Sequence, residues 1–438
     1  MKQAVILAGG KGTRIKEVSQ GLPKPMIPIL GKPLLQHLIE QCVTHNIFNI
    51  KLLVSYKKEV IKDFFGDGSR YGVSIQYIVE DIPRGTAGAL IDALPELEEQ
   101  FLVIYGDTFF DIDLGYFWKF HKERKGDASI FLHPNDHPYD SDLVEVDSSL
   151  RVQKIHPYPH DNQWRQNLVN AAVYIFNKDA LQNINFVSRR PDIAKELFPV
   201  MLKSGKKLYG YISTEYIKDM GTPKRLFRVK QDINSGKVHL LKRQTPKVAI
   251  FMDRDGTINK EVGHLSRPEQ FELIDGTGEA IRKINKAGIL SIVVTNQPVV
   301  ARGELTELEL KVIHNKMDTL LGRYGAYVDR LYYCPHHTDA GFEGEIKELK
   351  FDCDCRKPKI GMFTEAKKNL NIDFDKSWVI GDSFRDIHSA KNAGMKSILV
   401  HTGYAGNDGR NKAIPDFIAK NLNEAVELAL KEIGNDCI

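Results

Sequence analysis

Asp253 and Asp255 stand two residues apart, directly after the apolar run Val248–Met252. At the end of a strand, such a pair can divide a phosphoryl transfer. The first carboxylate attacks phosphorus; the second protonates the leaving alkoxide and then activates water. Asp-x-Asp alone is also an ordinary solvated turn. Here it has company further along the chain. Thr295, Asn296 and Gln297 follow Val293-Val294 and offer a hydroxyl and two amides to a transferring phosphoryl group. Arg356 and Lys357 bring cations. Asp382, after Ile380-Gly381, completes a carboxylate set with Asp253 and Asp255 that suits Mg²⁺. Cys334-Pro335-His336 and Cys353-Asp354-Cys355 form two chelating pairs sixteen residues apart, a three-sulfur, one-imidazole set fit for tetrahedral Zn²⁺ in a closed structural site. His337 competes with His336 for the fourth position.

A second group of residues lies at the other end of the chain. Leu7-Ala8-Gly9-Gly10-Lys11-Gly12-Thr13-Arg14 closes the first apolar run. Its glycines let the backbone turn tightly and present N–H groups to phosphate oxygens, and Arg14 adds a planar cationic fork. Pro23-Lys24-Pro25 then holds a lysine on a stiff segment. Asp107 follows Phe101–Tyr105 through Gly106, and Asp219 lies in Lys218-Asp219-Met220-Gly221-Thr222-Pro223. Two carboxylates from separate strand ends are what one Mg²⁺ needs if it is also to bind phosphate.

Positioning these groups takes alternating strands and helices. Short β-branched runs read as strands at Ala4–Ala8, Ile50–Ser55, Ser74–Val79, Phe101–Tyr105 and Ala128–Leu132, with amphipathic stretches such as Leu34–Cys42 and Leu114–Lys122 between them. Less regular sequence follows, with strands near Ala172–Phe176 and Lys207–Tyr211. Pro223–Asn234 reads as a closing helix, broken at Ser235-Gly236. Lys237–Lys247 shows no period of its own, so the linker is expected at 236–246, between domains 1–236 and 247–438. Lys412–Ile438 is expected to form a terminal helix and tail. The resulting expectation is an α/β protein of two domains, the first with a mixed sheet.

Bulk properties fit this reading. With 438 residues, 42% hydrophobic and 27% charged, the chain can bury two ordinary cores. A formal net charge of +4 leaves no broad footprint for nucleic acid. No stretch nears the roughly 18 apolar residues of a membrane span, and the start lacks the pattern of a secretory signal. Three of the five cysteines sit at metal-ligand spacing, and the expectation is a reducing, cytoplasmic setting.

The N-terminal motifs resemble those of the sugar-phosphate nucleotidylyltransferases, whose fold is a Rossmann-like nucleotidyltransferase domain. Leu7–Arg14 matches the signature loop, including Leu7, Gly9, Gly10, Gly12 and Thr13, and Lys24 the catalytic lysine. Arg84-Gly85-Thr86-Ala87-Gly88-Ala89 resembles the base- and sugar-side turn, Asn170 a sugar-contacting asparagine, and Asp107 and Asp219 the metal pair. The resemblance implies in-line attack of a sugar 1-phosphate on the α-phosphorus of a nucleoside triphosphate. Two departures stand out. Pro157-Tyr158-Pro159 occupies the place of a Glu-Lys-Pro whose lysine holds the sugar phosphate, and Ala172 stands where glycine is usual. Arg165, or a lysine from elsewhere, is the expected substitute.

The C-terminal motifs resemble the haloacid dehalogenase phosphatase superfamily, specifically the branch holding heptose 1,7-bisphosphate and histidinol-phosphate phosphatases. The resemblance rests on Phe251–Asn259, Thr295–Gly303, the cysteine loop, Cys355–Pro358 and Gly381-Asp382. It implies a Rossmannoid domain with a zinc loop, Cys-x-His ligation through His336, and substrate contacts from Glu261, His264, Asn296, Gln297 and Arg302. Pro298-Val299 departs from the branch's usual Ser-Gly. No interval leaves room for a large cap.

Together the two resemblances imply sequential steps. The 7-phosphate leaves D-glycero-D-manno-heptose 1,7-bisphosphate, and GMP from GTP is then joined to heptose 1-phosphate, giving a precursor for surface glycans. Two alternatives remain open at this point. One is a histidinol-phosphate phosphatase fused to a transferase for another sugar; the other is a phosphatase governed by a non-catalytic nucleotide- or sugar-sensing first domain.

Overall fold

The computed structural model describes residues 2–10, 12, 15, 19, 21–161, 163–409 and 411–435. Thr13 and Arg14 of the expected phosphate loop lie outside the described residues, as does Cys437. The chain divides into two compact units. One comprises Met1–His133, Ser141–Pro159 and Leu168–Lys242; the other comprises Pro134–Asp140, His160–Asn167 and Arg243–Ile438. Two short segments of the N-terminal half thus count with the second unit, an arrangement that no composition shift announces.

In chain order the first unit's strands are β1 (Gln3–Leu7), β2 (Pro28–Ile29), β3 (Lys32–Pro33), β4 (Asn49–Val54), β5 (Ser74–Val79), β6 (Gln100–Tyr105), β7 (Thr108–Asp111), β8 (Ala128–His133), β9 (Leu143–Val146), β10 (Val152–His156), β11 (Val169–Asn177), β12 (Leu208–Ile212) and β13 (Tyr216–Asp219). A nine-stranded mixed sheet runs β10-β9-β11-β6-β1-β4-β5, with β8 joining β11 to β12. Its parallel part is β6-β1-β4-β5. β1 and β4 are largely apolar and buried on both faces, as strands covered by helices must be, with Gln3 and Lys51 their buried polar members. β6 pairs β1 in the register Leu7 opposite Tyr105, so Ala8-Gly9 and Gly106-Asp107 leave the sheet side by side. That closeness demands glycine at 106, since a β-carbon there would lie 2.9 Å from Leu7 O.

Away from this sheet, β7 and β13 form an antiparallel ribbon with Thr108 opposite Asp219. Helix Pro223–Asn234 starts straight after it. Thr222 caps it by accepting the Arg225 N–H, and proline occupies its first turn, which explains the Gly-Thr-Pro of the sequence. One stretch differs from the expectation: Lys237–Leu240 is a short helix, started by Gly236 in the left-handed region.

The second unit holds a six-stranded, wholly parallel sheet, ordered β16-β15-β14-β17-β18-β19. The strands are β14 (Ala249–Met252), β15 (Leu290–Asn296), β16 (Arg330–Cys334), β17 (Trp378–Gly381), β18 (Lys396–Val400) and β19 (Phe417–Ala419). β14 is central, with β15 on one side and β17 on the other. The chain order reverses there, and a crevice opens at the carboxyl ends of the strands. Ile250, Met252, Val293 and Ile380 pack with Ile281, Ile284, Leu310 and Ile313 of the flanking helices in one core. The C-terminal stretch also differs from the expectation: strand β19 precedes the final helix, Leu422–Asn435.

Candidate functional site

In the second unit the residues singled out at the strand ends converge. Asp253 follows β14 and is buried, and Lys357 Nζ lies 2.9 Å from its Oδ2. The same ammonium donates to Asp386 Oδ1 at 2.6 Å and to Val294 O at 2.8 Å. Asn296 clamps the Lys357 backbone from both sides, Nδ2 donating to its carbonyl and Oδ1 accepting its N–H. Burial pushes the Asp253 carboxyl up to about 6 against the opposing pull of Lys357. Burial also lowers the lysine, but the charges of Asp253 and Asp386 outweigh it and hold Lys357 above its usual value.

Asp255 sits in a different environment. Burial works against its charge, but the Arg254 guanidinium and hydrogen bonds from Asn259 and Gln297 prevail and hold it below the usual carboxylate range. Arg254 Nη2 donates to both carboxylate oxygens, at 2.9 and 2.8 Å. Gln297 Nε2 donates to Asp255 Oδ2 at 2.8 Å and to Thr295 Oγ1 at 2.9 Å, and Asn259 Nδ2 to Oδ1 at 2.9 Å. Behind Arg254 stands His314, which burial pushes down to about 3 and so keeps neutral.

The carboxylates whose oxygens gather closely enough for one cation are those of Asp253, Asp382 and Asp386, within 4.8 Å of one another. This departs from the sequence expectation of Asp253, Asp255 and Asp382, because Asp255 spends both oxygens on Arg254, Asn259 and Gln297. Asp382 is buried and raised to about 8, first by burial and then by Asp386 and Asp253, a load that a divalent ion would relieve. Its Oδ2 accepts the Tyr404 N–H, and β-carbons at Gly256 or Gly403 would each come within 2.1 Å of that oxygen. Asp386 escaped the sequence reading. Its Ser383-x-x-Asp386 pattern reads as a helix cap, which it also is.

Three sulfurs and one imidazole meet beside this crevice. Cys355 Sγ lies 3.2 Å from Cys334 Sγ, 3.1 Å from Cys353 Sγ and 3.2 Å from His336 Nδ1. Four soft donors within 4.8 Å fit a tetrahedral metal. The structure decides between the two histidines, since His337 Nδ1 turns away to accept the Asp339 N–H. Arg356 Nη1 donates to His336 O at 3.0 Å, so the metal loop and the arginine are tied directly. Further out, His264 contacts Arg302 and pairs with Glu304 at 2.9 Å, while Arg302 stacks 4.7 Å from the Phe342 ring centre. Glu261 instead lines a cavity of about 680 Å³ with Thr402, Tyr404, Lys420 and Asn421.

In the first unit, Lys24 is buried and forms a close ion pair with Asp107. Asp107 O accepts the Met220 N–H at 2.8 Å, which draws Asp219 alongside. Asp219 is itself gripped by Arg225, Nη1 donating to its two oxygens at 2.8 and 3.0 Å. Both carboxylates are therefore engaged by cations, Asp107 by Lys24 and Asp219 by Arg225. Arg225 is a member the sequence reading missed. Gly12, at a φ of 62°, packs against Lys24, and Gly9 against Ser55 and Glu80. Gly85 and Gly88 lie against Arg190 and Pro191, with Thr86 Oγ1 donating to Asp192 Oδ2 at 2.9 Å. Asn170 Oδ1 accepts the N–H of Ala172, whose φ of 58° explains why glycine suits that position. Arg165, the expected substitute, is not part of this unit. It belongs to the second unit and pairs with Asp161 at 2.8 Å.

Comparison with known proteins adds to this geometry. Residues 3–236 match the family described as nucleotidyl transferase, and residues 354–425 the one described as HAD-hydrolase-like. A D-glycero-beta-D-manno-heptose-1,7-bisphosphate 7-phosphatase of Haemophilus ducreyi is 40% identical over 183 residues, 41% of this chain and 97% of that protein. A mannose-1-phosphate guanylyltransferase of Mycobacterium tuberculosis is 33% identical over 235 residues, 53% of this chain and 65% of that protein. The crystal structure of HddC from Yersinia pseudotuberculosis complexed with GMP-PN is 28% identical, covering 53% of this chain and all of that one, with a TM-score of 0.46. Among the described residues, no helix is long and apolar enough to cross a membrane.

Proposed function

The chain belongs to the nucleotidyl transferase family and, through its second half, to that of the D-glycero-β-D-manno-heptose-1,7-bisphosphate 7-phosphatases; on that premise we propose an enzyme that performs two successive steps on one sugar. The phosphatase half removes the 7-phosphate of a heptose 1,7-bisphosphate. The transferase half then joins the remaining heptose 1-phosphate to a nucleotidyl group, GMP from GTP, and releases pyrophosphate. The observation that carries this reading is one chain holding two separate constellations, Asp253–Lys357–Asp386 and Lys24–Asp107–Asp219, each at the carboxyl edge of its own sheet.

In the phosphatase step, Asp253 Oδ forms a bond to phosphorus as the bond to the sugar oxygen breaks. Asp255 delivers a proton to the departing alkoxide, then takes one from the water that displaces the aspartyl phosphate. Asp255 is ionised in this arrangement, the form that activates water; loading the acid requires its proton to be taken up with the substrate. Lys357 and Arg356 face the phosphoryl oxygens with the Thr295 hydroxyl and Gln297, Asn296 holds that loop in place, and Glu261, His264 and Arg302 shape the approach. Asp253 and Asp382, with Asp386 beside them, would hold a Mg²⁺ ion that supplies positive charge to the phosphoryl group, and Cys334, His336, Cys353 and Cys355 would hold a Zn²⁺ ion that fixes the loop carrying Arg356.

In the transfer step a phosphate oxygen of heptose 1-phosphate attacks the α-phosphorus, and the bond to the bridging oxygen of pyrophosphate breaks. No protein nucleophile takes part; charge and alignment do the work. Lys24 and Arg14 neutralise the triphosphate, the 7–14 loop and Gly88 cradle the nucleotide, Asn170 holds the sugar, and Asp107 with Asp219 carries Mg²⁺. The domains are 1–236 and 247–438, and the setting is the cytoplasm. Asp253→Asn should abolish phosphate release while leaving nucleotidyl transfer to preformed heptose 1-phosphate within about twofold; Asp107→Asn should do the converse. Loss of both activities in either variant would refute two separate sites.

A further inference from the structure

With Pro157-Tyr158-Pro159 in place of a lysine-bearing loop, the transferase site needs another cation for the sugar phosphate. A phosphate dianion brought to a triphosphate is strongly repelled unless positive charge sits between them. The segment from Arg190 to Lys195 is built between the nucleotide-side turn and the sugar-side asparagine. At one end it is sewn to the turn: Ala87 N–H donates to Pro191 O at 3.0 Å, and Ile193 N–H to Thr86 Oγ1 at 2.9 Å. Asp192 then caps the turn that follows, accepting the N–H groups of Ala194 at 2.9 Å and Lys195 at 3.1 Å. That turn, Ile193–Leu197, is wound as a π-helix, a rare geometry frequent at functional sites.

From this capped turn the Lys195 side chain reaches the Pro157-Tyr158-Pro159 loop, its Nζ donating to Tyr158 O at 3.3 Å. The loop is anchored at Asp142, which accepts the Tyr158 N–H on Oδ1 at 2.9 Å and the Asn170 N–H on its carbonyl at 3.0 Å. An unbroken series of contacts therefore links Asn170, Asp142, Tyr158 and Lys195. The ammonium is exposed and, among the described residues, meets no carboxylate; its acceptor is a neutral carbonyl. A long, neutral contact is readily exchanged for a dianion.

We propose that Lys195 holds the 1-phosphate of the sugar substrate, supplying from the helix turn the charge that the 157–159 loop lacks. The inference rests on the transferase reading above. It is tested on the full-length protein with heptose 1-phosphate, GTP and Mg²⁺, varying each substrate in turn. Lys195→Gln should raise KM for the sugar phosphate by ~10- to 100-fold, the loss of one charge-assisted contact. KM for GTP should stay within about twofold, and Lys195→Arg should recover most of the sugar-phosphate affinity. A wild-type thermal unfolding profile and an unchanged kcat at saturating sugar phosphate report that the transferase domain of the variant is folded. An unchanged sugar-phosphate KM in Lys195→Gln, or an equal rise in both KM values, overturns the proposal and leaves the transferase reading standing. A wild-type enzyme that releases no pyrophosphate with any sugar 1-phosphate overturns both.

Discussion

Lys357 shares its ammonium among Asp253, Asp386 and a backbone carbonyl, and all three side chains are buried. Asp386 therefore sets where Lys357 points without itself needing to touch the substrate. Asp386→Asn keeps the shape and removes the charge, so phosphatase kcat should fall by ~10- to 100-fold while transfer is unaffected. Asp386→Ala leaves a buried charge with one partner fewer and should also cost roughly 3–5 kcal/mol of stability, read from urea unfolding. Full phosphatase activity in Asp386→Asn would deny it the positioning role. Asp386 shows the limit of reading residues singly. A carboxylate at the third position of a helix, after serine, looks like a cap, and only the fold brings Lys357 to it from 29 residues away. Asp253, Thr295 and Asp382 were legible because strand-end position and residue type coincide in them, and Lys357 because it stands in an Arg-Lys-Pro motif. Asp255 was legible as a reactive carboxylate but not as one walled in, since Arg254 is its neighbour yet only the fold turns that side chain back on it and brings Gln297 from 42 residues away.

At the scale of elements, the cysteine loop and helix Glu307–Gly322 each give a separate prediction. Arg356 hangs from His336 O, so its direction depends on the metal that gathers Cys334, His336, Cys353 and Cys355. Cys353→Ser, or stripping with a strong chelator followed by Mg²⁺ alone, should cost at least about tenfold in phosphatase kcat/KM and spare the transferase. A fall in both activities would mean that the loop serves the whole chain instead. On helix Glu307–Gly322, Asp318 accepts the Asn167 N–H at 3.1 Å, and Thr319 exchanges hydrogen bonds with the Arg165 backbone. Burial pushes Asp318 up to about 7, above its value in an unfolded chain. The folded protein therefore holds a proton that the unfolded chain has lost between about pH 4 and pH 7. Stability from this group falls as pH rises through that window, and Asp318→Asn should flatten the corresponding part of the Tm–pH profile. An unchanged slope would contradict it. Periodicity found the central strands of the first sheet and helices such as Leu34–Thr44 and Leu114–Arg124, because burial writes apolar runs, but not the short strands Thr108–Asp111, Leu143–Val146 and Val152–His156. It could not foresee that 134–140 and 160–167 pack within the second unit, since contacts made by irregular loops leave no period.

For the whole molecule, the division into two chemistries was plain from the sequence because each motif set is ordered and complete on its own side of residue 240. The sugar pocket of the transferase was not, because the residue expected there was missing and its replacement depends on a hydrogen-bonded turn some thirty residues on. The central claim is that one chain takes a sugar bisphosphate through two steps. The most direct test supplies the purified protein with heptose 1,7-bisphosphate, GTP and Mg²⁺ and follows phosphate, pyrophosphate and nucleotide sugar together. The phosphatase relatives are named for the β-anomer, and both anomers are offered. The account predicts that phosphate appears first, then pyrophosphate and GDP-heptose in equal amounts, with Asp253→Asn blocking all three from the bisphosphate. Phosphate release from either anomer with no nucleotide sugar formed would contradict it.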